Sequence, residues 1–156
     1  MKFIDQLKEK AKQNKKTIVL PETSDMRTIE AAGKVLAEGI ANIILVGDKE
    51  DIMSRAGDID LSGASFVDPK NYEKFDEYVD AFVEMRRKKG MTEARAKELL
   101  LTNPLYFGCM MVKQDDADGM VAGAINASAD VLRAALQTLK TAPGTRIVSA
   151  FFLVVV

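Results

Sequence analysis

Arg133 stands close behind Gly123, Ala124, Ala127 and Ser128 in GMVAGAINASADVLRAALQTLKT, where a glycine-spaced apolar strand runs into a helix. A cation near a helix N-terminus opposes the helix dipole, so a negative group is expected beside it. Helical side chains lean toward the N-terminus, which would carry the guanidinium back over Ser128 and Ala129, near the unpaired amides of the first turn. Free N–H groups, the dipole and a two-pronged cation together suit a phosphate or phosphate ester. A purely structural account uses the same residues: Arg133 pairs with Asp130, and Asn126 and Ser128 are caps. A second cationic stretch, EMRRKKG, places Arg86, Arg87, Lys88 and Lys89 at a helix end, where cations complement the dipole and are ordinarily solvated. Glu22 and Asp25 in LPETSDMR follow a strand and could serve a site, although Ser24 or Asp25 as helix cap is the simpler assignment. Cys109, in the apolar run YFGCMMV, reads as a small core side chain.

Composition narrows the chemistry. The 156 residues contain no histidine and one cysteine, which removes Ser-His-Asp and Cys-His catalysis and leaves no zinc site or other metal site to expect. Neither a GxxxxGK[ST] nor a GxGxxG loop occurs, so no nucleotide fingerprint is present. Mixed charges with a net of -1 offer no field for nucleic acid or an anionic membrane, and neither partner is expected. The charged start MKFIDQLKEKAKQNKK lacks the apolar core of a signal peptide, and one cysteine cannot form an intramolecular disulfide; together they point to the cytoplasm. No apolar run reaches the roughly 18 residues of a spanning helix, so FFLVVV reads as a buried strand.

These residues must be positioned by alternating elements. Phe3, Ile4, Leu7 and Ala11 make a narrow helical stripe. Thr17 to Pro21 reads as a strand and SDMRTIEAAGKVLAEG as a helix with Met26, Ile29, Ala32 and Leu36 on one face. Ile43 to Val46 is a second strand followed by an Asp48-capped helix, and Ala64 to Asp68 a shorter third. Phe75, Val79, Phe82 and Met85 mark a helix ended by Gly90, Thr92 caps the next, and Pro104 starts an apolar one. The stretch ADGMVAGA is a further strand, and Leu132, Ala135, Leu136 and Leu139 form the buried face of the helix carrying Arg133. Strands alternating with helices predict an α/β fold on a parallel sheet. A wholly apolar last strand lacks the crossover that normally follows, which predicts that the chain is the N-terminal part of a longer polypeptide, the alternative on spacing alone being a C-terminal strand that completes the sheet.

TIVLPETSDMRTIEAA, ANIILVGDKEDI, FVEMRRKKGMTEARAKELL, NPLYFGCMMVKQDDADGMVAGA, SADVLRAALQTLKT and VSAFFLVVV together resemble the phosphate acetyltransferase family over essentially the whole chain. The resemblance implies a three-layer αβα sandwich with a mostly parallel sheet, the first domain of a two-domain acyltransferase, here truncated. Residues 1–146 would be that domain without its C-terminal completion, and 147–156 the first strand of the second. It implies reversible acetyl transfer between coenzyme A and phosphate in a homodimer, with coenzyme A as co-substrate and no separate cofactor. The family's thiolate attacks acetyl phosphate with an aspartate assisting, and that aspartate lies in the half this chain lacks. Carried over by position, Arg133 matches an arginine engaging the phosphate, Arg86 the other cleft arginine with Arg87 as second choice, and Ser128 a hydroxyl-bearing position at the same helix start. Ala134 stands where proline often follows that arginine, and Asn126 where histidine is frequent. Competing implications are a phosphate butyryltransferase, a non-catalytic acyl-CoA-responsive domain, and a bare anion-binding module.

Overall fold

The computed structural model describes residues 2–155, which build an open parallel sheet with helices on both faces. In chain order the elements are α1 (Phe3–Gln13), β1 (Lys16–Leu20), α2 (Met26–Glu38), β2 (Ala41–Val46), α3 (Lys49–Ala56), β3 (Ser65–Val67), α4 (Phe75–Arg86), α5 (Glu93–Thr102), α6 (Pro104–Lys113), β4 (Gly119–Met120) and α7 (Ser128–Thr138). The sheet order is β3-β2-β1-β4, with every pairing parallel. Successive strand residues face opposite sides, so the apolar runs of β1 and β2 feed two cores. Val19, Ile44 and Val46 face α4 to α7, packing on Tyr78, Phe82, Leu100, Phe107 and Met110. Leu20, Ile43 and Leu45 face α2 and α3, meeting Ile29, Ala32 and Ile52. The expected three-layer α/β architecture is the one formed.

Local punctuation follows the sequence closely. Asp25 caps α2 by accepting from the Arg27 amide, Asp48 caps α3, Thr92 caps α5, and Pro104 occupies the first turn of α6. Gly90 stops the stretch after α4 in the left-handed conformation, at φ 83°.

Three expectations do not hold. The stripe of α1 is unburied: Phe3, Ile4 and Leu7 are each more than two-fifths exposed, and the helix is tied to α2 by an exposed Lys8–Glu38 ion pair. Residues 147–155 form no strand, and Phe151 and Phe152 stand almost wholly in solvent; Val156 lies outside the described residues. A strand exists only through pairing, and the sheet edges are the three-residue β3 and two-residue β4, which give this segment almost no ladder to join. The buried side of α7 is also turned. Val131, Ala134, Ala135, Thr138 and Leu139 point inward, while Leu132 and Leu136 are exposed. Thr138 enters the core because its hydroxyl donates to the Ala134 carbonyl at 2.8 Å, which removes the cost of burying it.

Candidate functional site

Strands β2 and β3 are added on one side of β1 and β4 on the other, so the strand order reverses between β1 and β4. Open α/β sheets place ligands at the carboxyl ends of the strands at such a reversal. Here a side chain of the protein occupies one side of that crevice, beside an open space of about 200 Å³ lined by Leu20, Glu22, Arg27, Val121 and Ala124. Glu22, two residues past β1 and 3 % exposed, turns its carboxylate into the loop between β4 and α7. It accepts from the backbone N–H of Gly123, from Ala124 at 2.9 Å, and from Ile125 and Asn126 at 2.8 Å, with the Asn126 side-chain amide adding a bond at 2.9 Å. Gly123 takes φ 113°, a conformation that disfavours any side chain, and this turns successive N–H groups toward one point. Burial would raise the Glu22 pKa, but the bonds from Asn126, Ile125 and Ala124 outweigh it and hold the carboxyl at about 2. Arg27 closes the loop from the other polarity, donating to the Ala124 carbonyl at 2.6 Å while paired with Asp25.

An amide cradle around an anion therefore forms in the loop before α7 and not at the first helical turn expected from the sequence, and its anion is a side chain of the protein. Asn126 serves Glu22 instead of capping α7. From the sequence Glu22 could serve a site but had no assignable partner; a glutamate directly behind a strand and a proline was a signal, interpretable only once β4 is known to lie beside β1.

Arg133 is used elsewhere. It sits in the second turn of α7, beyond the first-turn amides, and donates to Asp130 at 2.6 Å in an exposed (i, i+3) pair. It also lines a cavity of about 350 Å³ with Arg86, Lys89, Gly90, Met91, Arg95, Leu99, Tyr106 and Gln137. Arg133 and Gln137, one turn apart, present the same helix face to it. Arg86 comes from the last turn of α4, Lys89 from the 3-10 turn after it, and Arg95 from the first turns of α5. Among the described residues no carboxylate lines the space. Among the described residues Arg86 and Lys89 have no ion-pair partner, while Arg95 pairs with Glu98 at 2.9 Å. At one wall the buried Tyr106 hydroxyl donates to Gln137 at 2.9 Å. Burial raises the Tyr106 pKa, and Arg133, Arg86 and Arg95 draw it back, as three guanidiniums around one hydroxyl should.

The two arginines singled out from sequence, 47 positions apart (133 − 86), are thus brought into one cavity. Arg87 and Ser128 are not among its lining residues. Arg87 points away to pair with Glu84 at 2.8 Å, and Ser128 opens α7 exposed, with Ala127 as the N-cap. An Arg87→Ala variant is expected to leave inorganic phosphate affinity within about twofold of wild type, since exposed (i, i+3) pairs contribute little; calorimetric titration checks this, and a tenfold loss would place Arg87 in the site. Cys109 is fully buried, with a pKa pushed up by burial, as suits a core thiol. Among the described residues no group of three or more acidic, cysteine or histidine side chains could hold a metal ion, and no helix is long and apolar enough to cross a membrane.

The chain is thus a doubly wound parallel α/β domain in which α4, α5 and α7 border a cavity lined by cationic side chains and, among the described residues, by no carboxylate. A family model described as phosphate acetyl/butaryl transferase matches residues 2–156, and the chain belongs to that family. It is 52% identical over 156 residues to a phosphate acetyltransferase of Acetivibrio thermocellus, covering 100% of this chain and 47% of the relative. It is 52% identical over 153 residues to one of Thermoanaerobacterium thermosaccharolyticum, covering 98% of this chain and 46% of the relative. The chain spans just under half the length of these relatives. Among solved structures, EutD phosphotransacetylase from Staphylococcus aureus superposes with a TM-score of 0.82 at 38% identity, over 92% of this chain and 44% of that one. A phosphotransacetylase from Streptococcus pyogenes gives 0.83 at 37% identity, with the same coverage.

Proposed function

We propose that the chain is the phosphate-engaging part of a phosphate acetyltransferase, which moves an acetyl group reversibly between coenzyme A and phosphate. The observation that carries this reading is the placing of Arg86 and Arg133 on two separate helices around one cavity with Lys89 and Arg95. Planar guanidiniums bind a phosphoryl group in two-pronged fashion and stabilise the charge that gathers on it as it departs. In acetyl transfer the thiolate sulfur bonds to the acetyl carbon, the carbon–oxygen bond to phosphate breaks, and inorganic phosphate leaves with that electron pair. Arg133 and Arg86 would hold the phosphate through this step. The groups that deliver and deprotonate the thiol are assigned to residues beyond Val156, because the chain covers less than half of its relatives.

On the same footing we assign residues 1–146 to a first domain and 147–156 to the start of a second, in a cytoplasmic homodimer. The exposed apolar segment Phe151 to Val155 supports that division, being suited to burial by further chain. The acyl group is assigned as acetyl over butyryl on the names of the relatives.

The test uses acetyl phosphate and coenzyme A with a polypeptide extended to the length of the relatives. Arg133→Lys is expected to raise KM for acetyl phosphate about tenfold and to lower turnover, because an ammonium cannot reproduce the planar fork. Wild-type kinetics in that variant would overturn the assignment of Arg133. The chain ending at Val156 is expected to give no turnover, and measurable turnover from it would overturn the assignment of the thiol-delivering groups.

A further inference from the structure

Glu22 belongs to no element that lines the cationic cavity, yet it is the most heavily bonded carboxylate among the described residues. Its five hydrogen bonds all reach the loop Gly123 to Asn126, which ends at the N-cap of α7. Arg27 holds the same loop through the Ala124 carbonyl. Glu22, just behind β1, and Arg27, in the first turn of α2, therefore hold both N–H groups and a C=O group of the segment from which α7 departs. The two strands pair over only Ile18–Gly119 and Val19–Met120, so the ladder alone leaves that departure weakly determined. Farther along, α7 packs on the core through Val131, Ala134, Ala135 and Thr138, and carries Arg133 and Gln137 to the cavity wall. A small change in where the helix begins becomes a displacement of the Arg133 fork relative to Arg86 on α4.

We propose that Glu22 is the positioning residue for Arg133: by seating the Gly123–Asn126 loop it sets the place and direction of α7, and so the spacing of the two arginines that grip the phosphoryl group. The inference rests on the reading of the cavity given under Proposed function. A carboxylate acting on the cavity only through its charge would repel phosphate, so neutralising it would tighten binding; a positioning residue, when neutralised, weakens it.

The experiment measures inorganic phosphate affinity of the full 156-residue chain by calorimetry for wild type, Glu22→Gln, Arg133→Ala and the double variant. Glu22→Gln is expected to weaken phosphate about tenfold in the wild-type background and not at all in the Arg133→Ala background, the non-additivity expected of a residue acting through another. Glu22→Asp keeps the charge but reaches fewer amides, and should recover part of the loss. Arg133 Nε–H, followed by NMR without phosphate, should shift in Glu22→Gln. Unchanged or tighter phosphate binding in Glu22→Gln, equal losses in both backgrounds, or an unmoved Arg133 resonance would overturn the inference. Wild-type affinity in Arg133→Ala, or no phosphate uptake by wild type, would instead overturn the functional reading, and the Arg133 resonance then decides the positioning role alone. Should Glu22→Gln not fold, Glu22→Asp and amide exchange at Ala124 to Asn126 in wild type replace it; exchange there as fast as in an open loop would overturn the inference.

Discussion

A Glu22→Ala chain is expected to unfold with a free energy at pH 7 about 3 kcal/mol below wild type, a loss that shrinks as the solution is acidified. The carboxyl falls from its ordinary 4.5 to about 2 on folding. Each unit corresponds to about 1.4 kcal/mol, so the depression is of order 3 kcal/mol. The folded state binds this proton less readily than the unfolded chain. Its contribution is therefore complete above pH 4.5, declines as pH falls through that window, and is gone below about pH 2. Asp25 and Asp116 are also held below their usual range, so wild type also loses stability through them as acid protonates them. Urea unfolding of wild type and variant in parallel isolates Glu22: the difference between the two stabilities should narrow by about 3 kcal/mol between pH 4.5 and 2. A constant difference across that range would mean the carboxylate charge is not what the loop binds. Alanine also leaves the amides of Gly123 to Asn126 facing an emptied crevice, which adds to the loss wherever water cannot reach them.

Truncating Phe107 is the other change with a large expected effect. Its ring is fully buried on α6 and meets Tyr72 edge-on at 5.7 Å between centroids and Tyr78 at 5.5 Å. Phe107→Ala is expected to lower stability by about 3–5 kcal/mol, the range for removing a buried aromatic whose surroundings collapse only partly. Collapse is hindered because the neighbouring rings are tethered. The Tyr78 hydroxyl donates to Asp116, Asp116 pairs with Lys74, and the Tyr72 and Tyr78 hydroxyls lie 3.3 Å apart. Burial and the bond to Asp116 keep Tyr78 protonated far above the usual phenol range. Moving either ring into the vacancy would strain that network, whereas Phe107→Leu fills more of it and should cost less than half as much. Thermal or urea unfolding checks both, and a loss below about 1 kcal/mol for alanine would show that the aromatic cluster repacks freely.

The elements that hold the site were legible wherever a local rule decides them. Asp48 and Thr92 cap helices because their side-chain oxygens can reach amides two or three residues on, whatever the rest of the chain does. The run Ile43 to Val46 is apolar throughout because both faces of a parallel strand are covered, and its residues divide between the two cores accordingly. Helix α7 was legible as a helix but not in its rotation. Apolar residues ring much of its circumference, and the choice between Leu136 and Thr138 as core residue turns on a hydrogen bond and on fit against α6, neither of which a hydrophobic pattern encodes.

For the site, composition by itself determined that any chemistry must lean on arginine, lysine, carboxylates, hydroxyls and backbone amides, since the chain has no histidine and one cysteine. Residue spacing determined the parallel α/β architecture and offered Arg133 as either an anion ligand or an ion-pair partner, while Arg86 was singled out by the family resemblance. Only the tertiary structure decided which anion meets which donors. Strand order put β4 beside β1, and that placed Glu22 in the amide cradle, left Arg133 to the cavity with Arg86, and turned Arg87 toward Glu84. The physical reason is one of range: caps, strands and amphipathic faces are settled within a few residues, whereas a carboxylate 101 positions from the Gly123 amide finds it only after the sheet has closed.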